Sequence, residues 1–398
     1  RIVDDYQELK KLAKQGKINL EDNHLGYTAI HFLYGRSYFK DLEMSKNTKE
    51  ATDYYLGQAK KYWLQQGLYM QGMLGLATSR FGDVQTPAAI IKSLNERALR
   101  SEEMGMYFKY GSGWWWYEAP IETQALMIEL YDEVAKDTQS VEDLKAWLLK
   151  QKQTQDWKTT RATSEACFAL LRRGSNLLAD DELVEIKVGG EKIDPKTRPD
   201  MASATEAGTG YFKTAWTGSE IKPEMGNITI AKATEGVAWG AVYWQYFEQL
   251  DKITFAETPL KLKKQLFLEQ NSDKGKVMSP ITDKTSLKTG DLIKVRIELR
   301  VDRDMEYVHM KDMRASAFEP TNVISTHKYQ DGLYYYESTK DLATHFFFGY
   351  LRKGTYVFEY PLRVSQQGDF SNGITTIQCM YAPEFTSHSE GIRVKVAP

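Results

Sequence analysis

Ile293-Lys294-Val295-Arg296-Ile297-Glu298-Leu299-Arg300-Val301 alternates apolar and charged residues without a break. A β-strand points successive side chains to opposite faces, so this stretch predicts a strand with one buried and one wet face. Tyr356, Phe358, Tyr360, Leu362 and Val364 repeat the alternation downstream. Pro361 falls on the opposite face there and predicts an edge or a bulge, since proline has no N–H for a neighbouring strand. Val184, Ile186 and Val188 alternate with Glu185 and Lys187 before Gly189-Gly190, a hairpin turn pair. Ile392, Val394 and Val396 close the chain in the same way. With turns such as Asp331-Gly332 and Asn372-Gly373 between the runs, the pattern predicts antiparallel β-sandwiches. The polar stretch over residues 257–264 reads as a junction, which divides this half into 181–258 and 259–398.

Upstream of about residue 180 the period changes to that of a helix. Thr86-Pro87 offers an N-cap and a proline at the first helical position, and Ile90, Ile91, Leu94 and Ala98 follow on one face. Ser140 with Asp143 resembles a capping box ahead of Val141, Leu144, Trp147 and Leu148. Ala166, Ala169 and Leu170 repeat the spacing, and Gly174 after Arg172 and Arg173 marks a helix end. About seven or eight helices with short connections give stacked αα-hairpins. An echo between the segments starting at Trp63 and Trp147 fits such an array. Three or more such hairpins arranged in a ring form an α/α toroid. The expected class is multidomain, with αα-hairpins over residues 1–180 able to close into an α/α toroid, followed by antiparallel β-sandwich domains.

At roughly 100–200 residues per domain, 398 residues predict two to four domains. A net charge of -2 announces no basic face, which argues against nucleic acid. No apolar run is long enough to span a bilayer. The chain begins at Arg1 with no apolar leader behind it, and reads as a cut from something longer. Cys167 and Cys379 make neither a disulfide framework nor a metal cluster, and both lie in apolar runs that predict buried, inert thiols. Among the histidines, only His24 and His31 have a spacing that could share a helix face, and no metal or cofactor is expected. Glu118 and Glu122 beside Trp114-Trp115-Trp116-Tyr117 could serve a sugar-cleaving site, but acids at a helix N-terminus explain them more simply. The chain has no Gly-x-Ser-x-Gly elbow and no phosphate-binding Gly-x-x-x-x-Gly-Lys loop.

A series of short motifs adds a resemblance. Tyr307-Val308-His309-Met310-Lys311-Asp312, Phe318-Glu319-Pro320, Gly332-Leu333-Tyr334-Tyr335-Tyr336-Glu337-Ser338 and Thr344-His345-Phe346-Phe347-Phe348 come first. Lys353-Gly354-Thr355-Tyr356-Val357-Phe358-Glu359-Tyr360 and Met380-Tyr381-Ala382-Pro383-Glu384-Phe385 follow in order. The series resembles the C-terminal macroglobulin domain of bacterial alpha-2-macroglobulins. Upstream, Trp116–Gln124 and Gln155–Thr163 resemble late helices of that family's thioester domain, an α/α toroid. The resemblance makes 181–258 a CUB-like β-domain segment. It implies a protease inhibitor or trap that is not an enzyme. It also implies upstream macroglobulin domains as partners and a periplasmic or envelope-attached location. In some members a Cys-x-Glu-Gln thioester bonds the protease covalently. This chain has no such motif, since Phe168-Ala169-Leu170 follow Cys167 and Met380-Tyr381-Ala382 follow Cys379.

Aromatic runs are the remaining signal. Tyr334-Tyr335-Tyr336 and Phe346-Phe347-Phe348 put aromatics on both faces of their strands, and only one face can be core. Trp114, Trp115, Tyr335 and Phe347 are accordingly expected at a domain or partner interface. Two other readings stay open at this point. One is a structural or interaction module of the cell envelope without inhibitory activity. The other is a carbohydrate-active enzyme, which shares the toroid-plus-sandwich layout.

Overall fold

The structure is a computed structural model. It describes residues 1–110, 119–173, 184–194, 212–233, 240–273, 275–282 and 284–398. The chain mixes helices and mostly antiparallel sheets, and it divides into two compact units. One comprises Arg1–Lys150 and Trp157–Gly240; the other comprises Gln151–Asp156 and Ala241–Pro398.

The first unit carries α1 (Ile2–Lys14), α2 (Tyr27–Ser37), α3 (Lys46–Tyr62), α4 (Leu68–Arg80), α5 (Gln85–Arg97), α6 (Pro120–Leu130), α7 (Thr138–Thr154) as far as Lys150, and α8 (Thr160–Arg172). A short hairpin, β1 (Leu99–Ser101) with β2 (Gly105–Tyr107), joins α5 to the later helices. In α3 only one face is buried, through Ala51, Thr52, Tyr55, Gln58 and Ala59 at helical spacing. In α4 and α6 the burial is nearly all round, so these are the central helices. They approach closely because α4 presents Gly72 and Gly75. A Cβ on Gly72 would meet Met127 at 2.8 Å, and one on Gly75 would meet Leu130 at 2.7 Å. Three short strands form a small sheet in the order β4 (Glu191–Ile193), β3 (Glu185–Val188), β5 (Ile228–Ala231). Gly189 and Gly190 turn between β3 and β4 with φ of 61° and 84°, as their sequence predicts.

The caps differ from the sequence expectation. At α5 the capping side chain is Asp83, which accepts from the N–H of Gln85 at 3.0 Å and the Thr86 hydroxyl at 2.7 Å. Thr86 and Pro87 therefore lie inside the first turn. At α7 Asp137, not Ser140, is the acceptor, taking the Ser140 N–H at 3.1 Å and its hydroxyl at 2.6 Å. These bonds hold the Asp137 carboxyl below its usual range. A carboxylate placed one turn earlier outcompetes the serine as acceptor. The expected helix stop at Gly174 lies outside the described residues.

In the second unit, β6 (Leu260–Ser272), β7 (Gly275–Pro280), β8 (Ser286–Leu287), β9 (Leu292–Val301), β10 (Met305–Met313), β11 (Phe318–Pro320) and β12 (Thr326–Gln330) come first. After them run β13 (Leu333–Thr339), β14 (Ala343–Leu351), β15 (Gly354–Val364), β16 (Gly368–Ser371), β17 (Thr375–Cys379), β18 (Ala382–His388) and β19 (Arg393–Val396). Six strands pair in the order β12-β13-β14-β10-β17-β18, and five in the order β11-β15-β9-β6-β7. Alternate side chains of both sheets meet in one apolar core, among them Ile293, Val295, Ile297 and Leu299 from β9 and Met310, Phe346 and Phe348 from the six-stranded sheet. Such inward stripes are what the alternation in β9 and β15 predicts. Pro361 sits where β15 is an edge, because β11 pairs only with residues 362–364.

One expectation needs correction. Residues 257–264 are not simply a junction, since β6 begins at Leu260 and pairs with β9 along most of its length. Its inward Lys264, between Leu262 and Leu266, disguises the strand. Asn372-Gly373 turns the chain, with φ of 79° at Gly373. It carries the chain from β16 in a three-stranded sheet to β17 in the six-stranded one. That small sheet contains one parallel pair, β19 with β8.

Candidate functional site on the outer face of the six-stranded sheet

The register of the six-stranded sheet builds two rows on its outer face. The first row runs His327, Tyr336, Phe347, His309, Gln378, Thr386 across all six strands. The second runs Ser338, His345, Lys311, Thr376, His388. Four of the chain's six histidines thus share one sheet face. They lie on separate strands far apart in sequence, so no local spacing reveals them. Only the alternation phase of each strand, combined with the register, aligns them.

At the centre of the face His309 Nε2 lies 2.9 Å from His345 Nδ1. The ring centroids are 5.1 Å apart and the planes differ by 6°. Facing nitrogens this close with centroids this far apart place the rings edge to edge, sharing one proton in an N–H···N bond. Phe347 packs on His309 with centroids 4.7 Å apart, and His327 lies between Tyr334 and Tyr336 at 5.1 and 4.8 Å. Burial pushes the pKa of His309 down, and His345 and Lys311 add to the effect. Burial does the same to His345, helped by Lys311, Lys340 and Arg314.

This arrangement dictates a pH response. A histidine whose folded pKa is depressed binds its proton more readily when unfolded. Its stabilising contribution is complete above the ordinary histidine pKa and is lost as pH falls through the folded value. The second proton on the pair also removes the N–H···N bond, since both nitrogens then donate. The His309→Gln variant is expected to show a flatter decline in unfolding midpoint as pH falls below about 6.5 than the natural sequence does. Parallel curves from urea titrations at several pH values would contradict this.

The expected interface residues divide. Phe347 is on the outer face and 41% exposed, whereas Tyr335 is 3% exposed. Tyr335 packs against Phe346, Phe348 and Phe358 and is a core residue. On β13 the outward aromatics are Tyr334 and Tyr336, one residue to either side, because pleating alternates them. Trp114, Trp115 and Glu118 lie outside the described residues. Glu122 is buried, with the Thr159 hydroxyl 3.5 Å away.

Cys379 is buried as expected, and burial raises its thiol pKa. Cys167 and the first histidines part from expectation. Cys167 is exposed, because Ala162, Ala166 and Ala169 take the inward positions of α8 and turn residues 167 and 168 to the surface. His24 precedes α2 and reaches the Asn19 carbonyl at 2.8 Å, while His31 sits inside α2 against the Tyr27 hydroxyl at 2.7 Å. They do not share a helix face. Among the described residues no group of three or more His, Cys, Asp or Glu side chains could hold a metal ion.

The helical unit holds two further polar clusters. Arg80 donates to Glu133 at 2.6 Å through two nitrogens and to Glu129 at 2.7 Å, while Arg173 reaches Glu129 at 3.0 Å and Asp132 at 3.3 Å. The Tyr34 and Tyr38 hydroxyls also donate to Glu129. In the second cluster, Arg161 bridges Tyr69 at 2.7 Å and Glu165 at 2.8 Å. Burial raises the pKa of Tyr27 and Tyr69 and lowers that of His31. A tyrosine base for sugar cleavage needs the opposite shift.

Comparison with known proteins gives one match to a domain family. Residues 260–384 match the bacterial alpha-2-macroglobulin MG10 domain. No curated protein matches. Trypsin-activated alpha-2-macroglobulin from Escherichia coli is similar at 12% identity, covering 93% of this chain and 25% of that one, with a TM-score of 0.40. The Salmonella alpha-2-macroglobulin reacted with methylamine is similar at 14% identity over 99% of this chain and 24% of that one, with a TM-score of 0.30. The chain thus spans about a quarter of the length of these structures. Over residues 260–384, then, the chain is similar to the MG10 domain of bacterial alpha-2-macroglobulins.

Proposed function

We propose that the chain is the C-terminal region of a bacterial alpha-2-macroglobulin-like protease inhibitor or trap. The observation that carries this reading is the match of residues 260–384 to the MG10 domain. In this reading residues 1–180 are the later part of a thioester-like α/α toroid. Residues 181–258 are a CUB-like segment, and 259–398 are the terminal macroglobulin-like β-sandwich. The chain itself is not an enzyme, binds no cofactor and forms no thioester. It moves as a body when a protease cuts an upstream bait segment. Its partners are proteases and the macroglobulin domains that precede it, and its place is the periplasm or envelope. No described helix is long and apolar enough to cross a membrane. The outer face bearing Phe347, Tyr336 and His309 is the surface that meets neighbouring domains, because exposed aromatics grouped on one face favour contact.

The protein that carries this chain should become more compact after limited proteolysis, while residues 1–398 stay intact. Phe347→Asp should weaken that compaction without unfolding the second unit, as Phe347 is outside the core. Small-angle scattering before and after protease addition reads both. An unchanged scattering profile on cleavage counts against the trap and favours an envelope module.

A further inference from the structure

His309 and His345 stand on the neighbouring strands β10 and β14, 36 residues apart in sequence. The register makes them diagonal neighbours, since His309 pairs with Phe347 and His345 with Lys311. Even so, Nε2 of His309 and Nδ1 of His345 come within 2.9 Å of each other. Phe347 lies nearly parallel to both rings, with centroids 4.7 Å from His309 and 6.1 Å from His345, and packing against it fixes their common orientation. Both histidines are partly exposed on the outer face, so a hydrated ion can reach them. Two nitrogens on one metal ion, each bonded at about 2.0–2.1 Å, lie about 2.9 Å apart when the angle at the metal is a right angle and about 3.4 Å apart when it is tetrahedral. The observed spacing is the right-angle one. Cu(II) and Ni(II) favour that geometry with nitrogen ligands, and Cu(II) binds such donors most tightly among the first-row divalent ions.

We propose that His309 Nε2 and His345 Nδ1 chelate one divalent transition-metal ion, Cu(II) in preference to Ni(II) and Zn(II), with water filling the other positions. In the metal-free pair one of the two facing nitrogens carries the shared proton. On binding, that ring moves its proton to its far nitrogen by way of water, and the rings tilt so that both freed lone pairs converge on the ion. No proton is lost and no electron is transferred. The ion is a structural ligand that ties β10 to β14 and takes part in no reaction. Lys311, directly across from His345, opposes a cation and limits the affinity. No local spacing in the sequence reveals the pair, because its members meet only through the register of the two strands.

The test titrates the whole chain with Cu(II) against glycine as a competing chelator and records the electron paramagnetic resonance spectrum. The natural chain should bind one ion with the hyperfine pattern of two imidazole nitrogens. His309→Gln and His345→Gln should each weaken binding by at least about tenfold. His327→Gln, on the same face but outside the pair, should leave it unchanged. Lys311→Gln should tighten it, since a nearby positive charge is removed. Copper binding that survives in both His309→Gln and His345→Gln would mark an adventitious ion only and overturn the proposal. A one-nitrogen spectrum from the natural chain would overturn it without recourse to any variant, and so would tighter binding of Zn(II) than of Cu(II).

Discussion

Replacing Lys264 with alanine is expected to destabilise the second unit by about 3–5 kcal/mol, the range for removing one partner of a buried ion pair. Side-chain exposure is 1% for Lys264 and 0% for Asp312, so water cannot take over from the missing ammonium. Among the described residues, Asp312 would keep the hydroxyls of Tyr360 and Thr375 as donors. The Met313 carbonyl would lose the Lys264 donor as well. A double replacement, Lys264→Met with Asp312→Leu, removes both charges and should recover part of the loss. Recovery stays incomplete because the Tyr360 and Thr375 hydroxyls then lose their acceptor in the core. Hydrogen exchange of the β10 and β17 amides reads the effect directly. Protection equal to the natural chain in the Lys264→Ala variant would show that the pair contributes nothing.

Arg80→Ala should cost the helical unit about 3 kcal/mol, the lower end of the same range. Arg80 side-chain exposure is 9%, and its guanidinium also lies over the Tyr38 ring at 4.1 Å, so packing is lost with the charge. The loss is limited because Arg173 still holds Glu129. The other partner, Glu133, is 32% exposed and can be hydrated. Arg80 is the main cause that holds the Glu133 carboxyl below its usual range. A depressed carboxyl pKa stabilises above the unfolded value and ceases to do so as pH falls through the folded one. The gap between natural and Arg80→Ala chains should therefore narrow below about pH 4. Thermal unfolding of both chains across that range measures it, and a gap that widens in acid would contradict the assignment.

Much of the second unit is legible because strand alternation is local information. Residues 293–301 and 356–364 show their inward stripes without reference to any partner. β6 was harder to read, because Lys264 occupies an inward position that sequence alone assigns to water. Its partner Asp312 is on another strand, so the compensation is invisible locally. Tyr335 and Phe347 show a related limit. Both sit in aromatic triplets, and the triplet does not say which members face inward. Register fixes that, and register also gathers the four histidines from β10, β12, β14 and β18. Cys167 escapes a reading by composition, because an apolar run on a helix is not wholly buried, and α8 turns residues 167 and 168 outward.

The central claim is that this chain serves a protease trap, and the most direct measurement mixes the protein carrying it with a broad-specificity protease. Residual activity is then compared on a large protein substrate and on a small peptide. Loss of the first with retention of the second is the predicted result, because a caged protease still admits small molecules. Full activity on both substrates would contradict the trap.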